Sequence, residues 1–241
     1  MASPRVLFGL AKYLPKAWEE GENTMPESRL VGIGLLKTRM KKYSRHYLFT
    51  KRMIDITMAI IVFLVLLPFL PIIAYKIKRQ SPGPILFKQL RTGKDGVPFY
   101  MYKFRTMHVN AEADTKQAMR EDPRKFPFGQ FLRHTTLDEM PQLINVLKGE
   151  MSVVGPRPHM VKHTEYYAKL IPNFMERHAV KPGVTGLAQA LGWRGDTHEL
   201  WMMEERVRHD LYYIRHRSIK MDLAIIRRSL GQFIEPPESA Q

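Results

Sequence analysis

The chain has no cysteine among its 241 residues, which excludes disulfides and thiolate metal sites and permits a reducing compartment. Acids are few beside bases: 23 Asp and Glu stand against 38 Lys and Arg, for a formal charge of +15. Such an excess calls for an acidic partner, whether nucleic acid, an anionic membrane face or a phosphorylated substrate. Other absences narrow the choice. No recognised nucleic-acid-binding module is present, and nucleic-acid binding leaves the apolar run described below without a role, so no nucleic-acid partner is expected. No H-E-x-x-H pattern occurs, so His159, His163 and His178 do not read as a zinc site. Val6 to Ala11 is too short for a signal-peptide core and lacks a cleavage site, and the N-terminus is expected to be retained. The length suffices for one domain with a real core.

Lys37 to Arg52 contains seven Lys and Arg residues and no acid. Such a block suits anionic lipid headgroups, at about 1 kcal/mol per basic residue near the surface, although a solvated linker has the same composition. Ile56 to Tyr75 then runs for twenty residues without a charge, about the length of a membrane-crossing helix. Pro68 and Pro71 interrupt it, and Lys76, Lys78 and Arg79 follow, so both flanks are basic. Basic flanks prefer the cytoplasmic side. Both are satisfied if the chain enters and leaves by one face, which the prolines allow by removing N–H donors and bending the helix. A kinked spanning helix fits the periodicity as well.

Beyond SPGP, Ile85 to Arg91 and Val97 to Phe104 are strand-like, and the Asp95-Gly96 pair between them predicts a β-hairpin. Lys88, Arg91, Lys103 and Arg105 give it positive charge; most are expected to face solvent or lipid, with Arg105 pointing inward. His108 to Arg124 reads as a mobile polar surface helix and loop, placed to cover a bound phosphorylated ligand. His159 to Arg177 reads as helical, Lys181-Pro182-Gly183 with Gly186 as a tight exposed turn, and Gly192-Trp193-Arg194-Gly195 as a cationic loop. Two amphipathic helices close the chain: Leu200, Met203, Val207, Leu211 and Ile214 share one face, and Leu223, Ile226, Leu230 and Phe233 another. Core packing and a membrane interface explain such stripes equally well. Residues 235–241 are expected to form a disordered tail.

The chemistry concentrates between Arg133 and Pro158, RHTTLDEMPQLINVLKGEMSVVGPRP. Asp138 and Glu139 stand side by side where a helix begins, and free N–H groups there favour carboxylates and phosphates alike. Thr136 with Glu139 fits a capping box, but that register places Pro141 beyond the first turn; a start at Asp138 leaves Pro141 among donors without partners. An acidic pair at a helix start needs no role beyond the dipole. Arg133 just before the pair and Arg157 in VVGPRP after it add phosphate chemistry: one acid can attack phosphorus while the other binds a metal or handles a proton, and arginines grip phosphate oxygens in bidentate fashion.

YKFRTM (Tyr102 to Met107), FLRHTTLDEMPQLINVLKGEMSVVGPRP (Phe131 to Pro158), KPGVTGLAQALGWRG (Lys181 to Gly195) and the D-x-x-Y of Asp210 and Tyr213 together resemble the bacterial sugar transferase family, the monotopic polyprenyl-phosphate phosphoglycosyl transferases. The likeness covers about residues 51 to 230. It implies a mainly helical α+β fold, with a re-entrant membrane helix over 51–80 and a cytosolic catalytic domain with interfacial amphipathic helices over 81–234; composition adds an N-terminal basic arm over residues 1–50, which lies outside the likeness, and the tail. It further implies transfer of a hexose 1-phosphate from a UDP-sugar to undecaprenyl phosphate with release of UMP, at the cytoplasmic face of a bacterial inner membrane. Asp138 would be the nucleophile, Asp138 and Glu139 the Mg²⁺ ligands, and Arg133, Arg157, Arg194 and Arg105 the phosphate and nucleotide contacts. PHMVKH and GWRGDT look most like the glucose 1-phosphate transferases of exopolysaccharide assembly, with galactose or an N-acetylhexosamine as alternatives. A homo-oligomer is compatible with the resemblance. Small members often have Ser-Pro at the helix break where this chain has Leu67-Pro68. Large members carry a multi-helix membrane region ahead of the catalytic part, and this sequence looks like the short form. A basic membrane-surface scaffold would also explain the charge, but leaves the acid pair without a task.

Overall fold

A computed structural model describes residues 10–13, 43–110, 122–193, 195 and 199–234. The expected ligand-covering segment falls mostly outside them, as do Arg194, nearly all of the N-terminal arm and the C-terminal tail. The fold is mostly helical, with two small sheets and a single helical stretch among the described residues, Arg45–Gln80, long and apolar enough to cross a membrane.

That stretch begins at Ser44, whose hydroxyl accepts from the Tyr47 N–H at 3.2 Å as an N-cap. Helix α1 (Arg45–Leu66) passes through a 3₁₀ turn at Leu67–Phe69 into α2 (Leu70–Gln80). The sequence places two prolines inside an apolar helix, each costing about 3 kcal/mol; here each instead sits in the first turn of its own segment, where its missing N–H is not needed. Leu66 and Phe69 stay in the right-handed helical region, so the helix tightens at the break without leaving helical geometry.

Both ends of this element dock on the same globular body. On α1, buried Asp55 accepts from Ser152 Oγ at 2.8 Å and from the Val153 N–H at 3.0 Å. Lys51 pairs with Asp222 at 2.8 Å, and Arg52 donates to the carbonyls of Val146 and Leu147 at 2.6 and 2.9 Å. Those carbonyls end helix α4 (Gln142–Lys148), where a cation complements the dipole. On α2, Ile73 and Ile77 pack with Phe104, Phe126 and Leu132 in a small core. Gln80 Oε1 accepts from the Phe128 N–H at 2.8 Å, satisfying a donor in the first turn of α3 (Pro127–His134). Between these anchors Ile60, Ile61, Leu64, Val65, Leu67, Phe69 and Ile72 are exposed.

Strands β1 (Leu86–Thr92) and β2 (Pro98–Phe104) form the expected antiparallel hairpin, with Asp95 and Gly96 at positive φ in the tip. The KPGVTG segment is not an exposed turn. Pro182, Gly183 and Gly186 are buried, and β4 (Gly183–Thr185) pairs in parallel with β3 (Ser152–Val154). A Cβ on Gly183 would lie 2.1 Å from the Gly155 nitrogen, so glycine permits the two backbones to meet. Helix α5 (Val161–Leu170), a 3₁₀ stretch Phe174–Ala179, short α6 (Leu187–Ala190), α7 (Leu200–His216) and α8 (Ile219–Ile234) surround this pair. Helix α7 buries Met203, Val207, Leu211 and Ile214, while Leu200 is exposed. On α8 the core stripe is Met221, Ile225 and Ser229; Leu223 and Leu230 of the sequence-read stripe face outward at 52% and 58% exposure, and the Phe233 side chain lies outside the described residues.

Candidate active site

The acid pair lies on a 3₁₀ turn, Leu137–Glu139, between α3 and α4. Thr136 does not cap it: its side chain makes no capping bond, and its backbone is left-handed at φ 58°. For a β-branched residue that conformation is an outlier costing on the order of 1–3 kcal/mol. Pro141 follows as the residue before α4, so the capping-box register is not the one adopted. Glu139 turns its side chain away from Thr136 and toward cations from two other elements. The resulting turn presents both carboxylates almost fully buried, Asp138 at 6% and Glu139 at 5% exposure.

Glu139 is gripped from two sides. Lys103 Nζ donates to its Oε1 at 2.8 Å, and Arg157 donates Nη2 to Oε1 at 2.7 Å and Nη1 to Oε2 at 3.3 Å. Its charge thereby places two cations beside Asp138. Arg133, at the end of α3, donates Nε to Thr106 Oγ1 at 2.8 Å. Helix α3 reaches that position because Gly129 lies against Thr106, whose carbonyl oxygen would be 2.1 Å from an added Cβ.

Burial pushes the Asp138 carboxyl above the ordinary carboxylate range; Lys103 opposes this most, with Arg133 and Arg157 acting in the same sense and Glu139 against them. Burial lowers the Lys103 ammonium, opposed by Glu139 and then Asp138. Glu139 raises Arg157, which stays charged. No hydrogen bond to the Asp138 carboxylate occurs among the described residues, so its oxygens are available to an electrophile. An ionised carboxylate ringed by three cations, in a largely water-excluded place, can attack a phosphorus whose oxygens those cations hold.

A second layer supports Arg157. Arg177, 1% exposed, pairs with buried Asp210 of α7, donates Nη2 to the Arg157 carbonyl at 2.9 Å, and places Nη1 2.8 Å from His159 Nδ1. Burial, reinforced by Arg177, holds His159 well below its usual value, so its neutral ring accepts there. Tyr213, the other D-x-x-Y residue, donates to Asp222 Oδ1 at 2.7 Å and to the Val154 carbonyl at 3.2 Å, joining α7 to the Lys51 anchor.

The structure thus brings together Asp138, Glu139, Arg133 and Arg157. Arg105 points inward but elsewhere: Nε donates to the Pro84 carbonyl at 2.6 Å, and its Nη groups bond Ser81 and the Pro82 carbonyl, so it clamps the SPGP turn. No carboxylate perturbs it. Arg194 lies outside the described residues. Lys103, expected at solvent or lipid, is instead at the centre. Strand alternation held that signal, since Phe99, Met101 and Lys103 share one face and the first two are buried. Arg177 carried no comparable mark.

Among the described residues, no three or more His, Cys, Asp or Glu side chains converge as a metal cluster. Mg²⁺ needs less, since it is commonly held by one or two carboxylates with water and substrate phosphates completing the shell. Asp138 suits that role better than Glu139, both of whose oxygens already meet cations.

The chain is 51% identical over 177 residues to the UDP-glucose:undecaprenyl-phosphate glucose-1-phosphate transferase of Escherichia coli (strain K12), covering 73% of this chain and 38% of that protein. Identity to the protein of the same name from Xanthomonas campestris pv. campestris is 42% over 229 residues, covering 92% of this chain and 47% of the relative. The Exopolysaccharide production protein PSS of Rhizobium leguminosarum bv. phaseoli is 45% identical over 181 residues, covering 73% and 90% respectively. The chain therefore spans less than half the length of the first two relatives. Residues 46–236, which include the anchored helix, the buried acid pair and the arginines around it, match the bacterial sugar transferase family, and the chain belongs to that family.

Proposed function

We propose that the protein transfers glucose 1-phosphate from UDP-glucose to undecaprenyl phosphate and releases UMP, at the cytoplasmic face of a bacterial inner membrane. The observation that carries this reading is the buried Asp138 carboxylate beside Lys103, Arg133 and Arg157, with Glu139 holding two of the three in place. Phosphoryl transfer requires in-line placement and charge neutralisation more than acid–base force, and the cations around Asp138 suit the second need. Glucose is the sugar printed in the names of the relatives from E. coli and X. campestris.

In the first half-reaction an Asp138 oxygen forms a bond to the β-phosphorus as the bond from that phosphorus to the bridging oxygen breaks, and the electron pair leaves on UMP. Arg133 and Arg157 hold the non-bridging oxygens, and Lys103 keeps Asp138 more ionised than its burial alone would allow. In the second, a lipid phosphate oxygen attacks the same phosphorus and Asp138 is released. Glu139 maintains Arg157 through both steps. Mg²⁺ bound at Asp138 and the phosphates would neutralise part of the diphosphate charge.

A re-entrant helix places this chemistry at headgroup depth. Its support is that Asp55 and Gln80, on either side of an exposed apolar tip, bond to one globular body; a spanning helix would separate those flanks across the bilayer. The outward Leu223 and Leu230 of α8, with Lys220 and Arg227 nearby, support an interfacial seat for that helix. The deciding experiment is UMP release by the purified chain from a panel of UDP-sugars with undecaprenyl phosphate and Mg²⁺. UDP-glucose should be used best, and absence of UMP from every UDP-sugar would refute the reading.

A further inference from the structure

Behind Arg157 the buried positive charge exceeds what the acids among the described residues balance. Arg206 and Asp210 lie one turn apart on α7 and both are buried. Asp210 is matched by Arg177. Arg206, 7% exposed, forms no ion pair among the described residues; its Nη2 donates to the Gly195 carbonyl at 2.7 Å, and its Nε is buried without a partner. A guanidinium offers five donors, and leaving them unmet in the interior is costly. Burial, and after it the like charges of Arg157 and Arg177, bring its pKa down to about 10, against the pull of Asp210.

Arg157 is the common neighbour. On one side it grips Glu139 and helps hold down the Asp138 carboxyl; on the other it is among the charges that press on Arg206. Among the described residues, Lys103, Arg133, Arg157, Arg177 and Arg206 outnumber the buried acids Asp138, Glu139 and Asp210 of this region. A diphosphate, carrying two negative charges, would offset the excess. With its β-phosphorus at Asp138, its second phosphate has the Arg157–Arg206 side to meet.

We propose that Arg206 binds the α-phosphate of the nucleotide sugar and stabilises the charge that UMP gains as it leaves. This rests on the phosphoglycosyl-transfer reading above. When the bridging bond breaks, the electron pair stays on the bridging oxygen and the nucleotide phosphate passes from one to two negative charges. A cation there is worth more in the transition state than with bound substrate. UMP has gone before the lipid phosphate attacks, so Arg206 has no part in the second half-reaction.

The test separates the two halves in the full chain, using Arg206→Gln and Arg206→Lys. With labelled UDP-glucose and no lipid, adduct formation should slow about 10- to 100-fold in Arg206→Gln, the loss of one or two charge-assisted hydrogen bonds. Inhibition by added UMP should weaken by a similar factor, whereas discharge of preformed adduct onto undecaprenyl phosphate should keep its wild-type rate. Arg206→Lys retains the charge and stem and should recover part of the loss; if the Gln variant does not fold, weakened UMP inhibition in Arg206→Lys is the deciding result. Wild-type UMP affinity in the folded variants, or equal slowing of both half-reactions, would overturn the inference and leave Arg206 only pinning the chain at Gly195. A wild-type chain that releases no UMP and binds none would defeat the reading beneath it as well.

Discussion

Replacing Lys103 with Met removes the cation that most opposes the burial of Asp138, while keeping most of the side-chain stem. Glu139 remains paired with Arg157 through two hydrogen bonds, so no carboxylate is left buried alone. The cost to the fold should be that of one charge-assisted bond, about 1.5–3 kcal/mol. The effect on Asp138 follows from its sign. Burial already places this carboxyl above the ordinary value of about 4, and only the ionised form attacks phosphorus. A neighbouring opposite charge favours the ionised carboxylate; with Arg133 and Arg157 still in place, losing Lys103 should raise Asp138 further. The acid limb of adduct formation should therefore move to higher pH, with a rate loss on the order of tenfold below the limb. Stability runs the other way: a raised carboxyl contributes fully below its unfolded pKa, and the contribution is lost as pH rises through the folded value. The assay is the single-turnover rate of labelled adduct formation from UDP-glucose without lipid, across pH, with unfolding followed in parallel. An acid limb unmoved in a folded Lys103→Met protein would refute the placement of Lys103 against the nucleophile.

Asp138→Asn should abolish both the trapped adduct and turnover, by about 10³-fold or more, whereas Glu139→Gln, which keeps the nucleophile but loosens Lys103 and Arg157, should still form some adduct and slow both half-reactions; adduct in Asp138→Asn would place the nucleophile elsewhere. Cysteines introduced at exposed Arg45 and Arg79, in a chain with none of its own, should both react with an impermeant maleimide from the cytoplasmic side alone. Labelling from opposite sides would restore a spanning helix. Ala at both Pro68 and Pro71 should shift the segment toward spanning, because the missing N–H donors return. Asp55→Ala leaves Ser152 Oγ and the Val153 N–H without their acceptor and should lower stability by about 1–3 kcal/mol for each unmatched group, read by thermal unfolding in detergent.

Much of this was legible in linear order because the signals were local. A charge-free run with prolines and basic ends, an Asp-Gly hairpin tip, and adjacent acids shortly after Arg133 each occupy one short stretch of chain. Even where local signals erred, the cause is physical. The capping box at Thr136 was available to the backbone, but Glu139 finds stronger partners in Lys103 and Arg157, 36 and 18 residues away in the chain. KPGVTG has the composition of a turn, yet its glycines serve the close approach of two parallel strands.

By itself the sequence determined the family motifs, the apolar run and the acid pair, since covalent order alone puts those residues together. Tertiary packing decided which cations reach that pair. Arg105 and Lys103 are two residues apart, and only the docking of β2 against the turn at Leu137–Glu139 sends Lys103 to Glu139 while Arg105 closes on Ser81–Pro84. It also decided that Asp210 would be matched by Arg177 and Arg206 by no acid among the described residues, because helices distant in sequence bury their charges side by side, and Coulomb's law acts on distance in space.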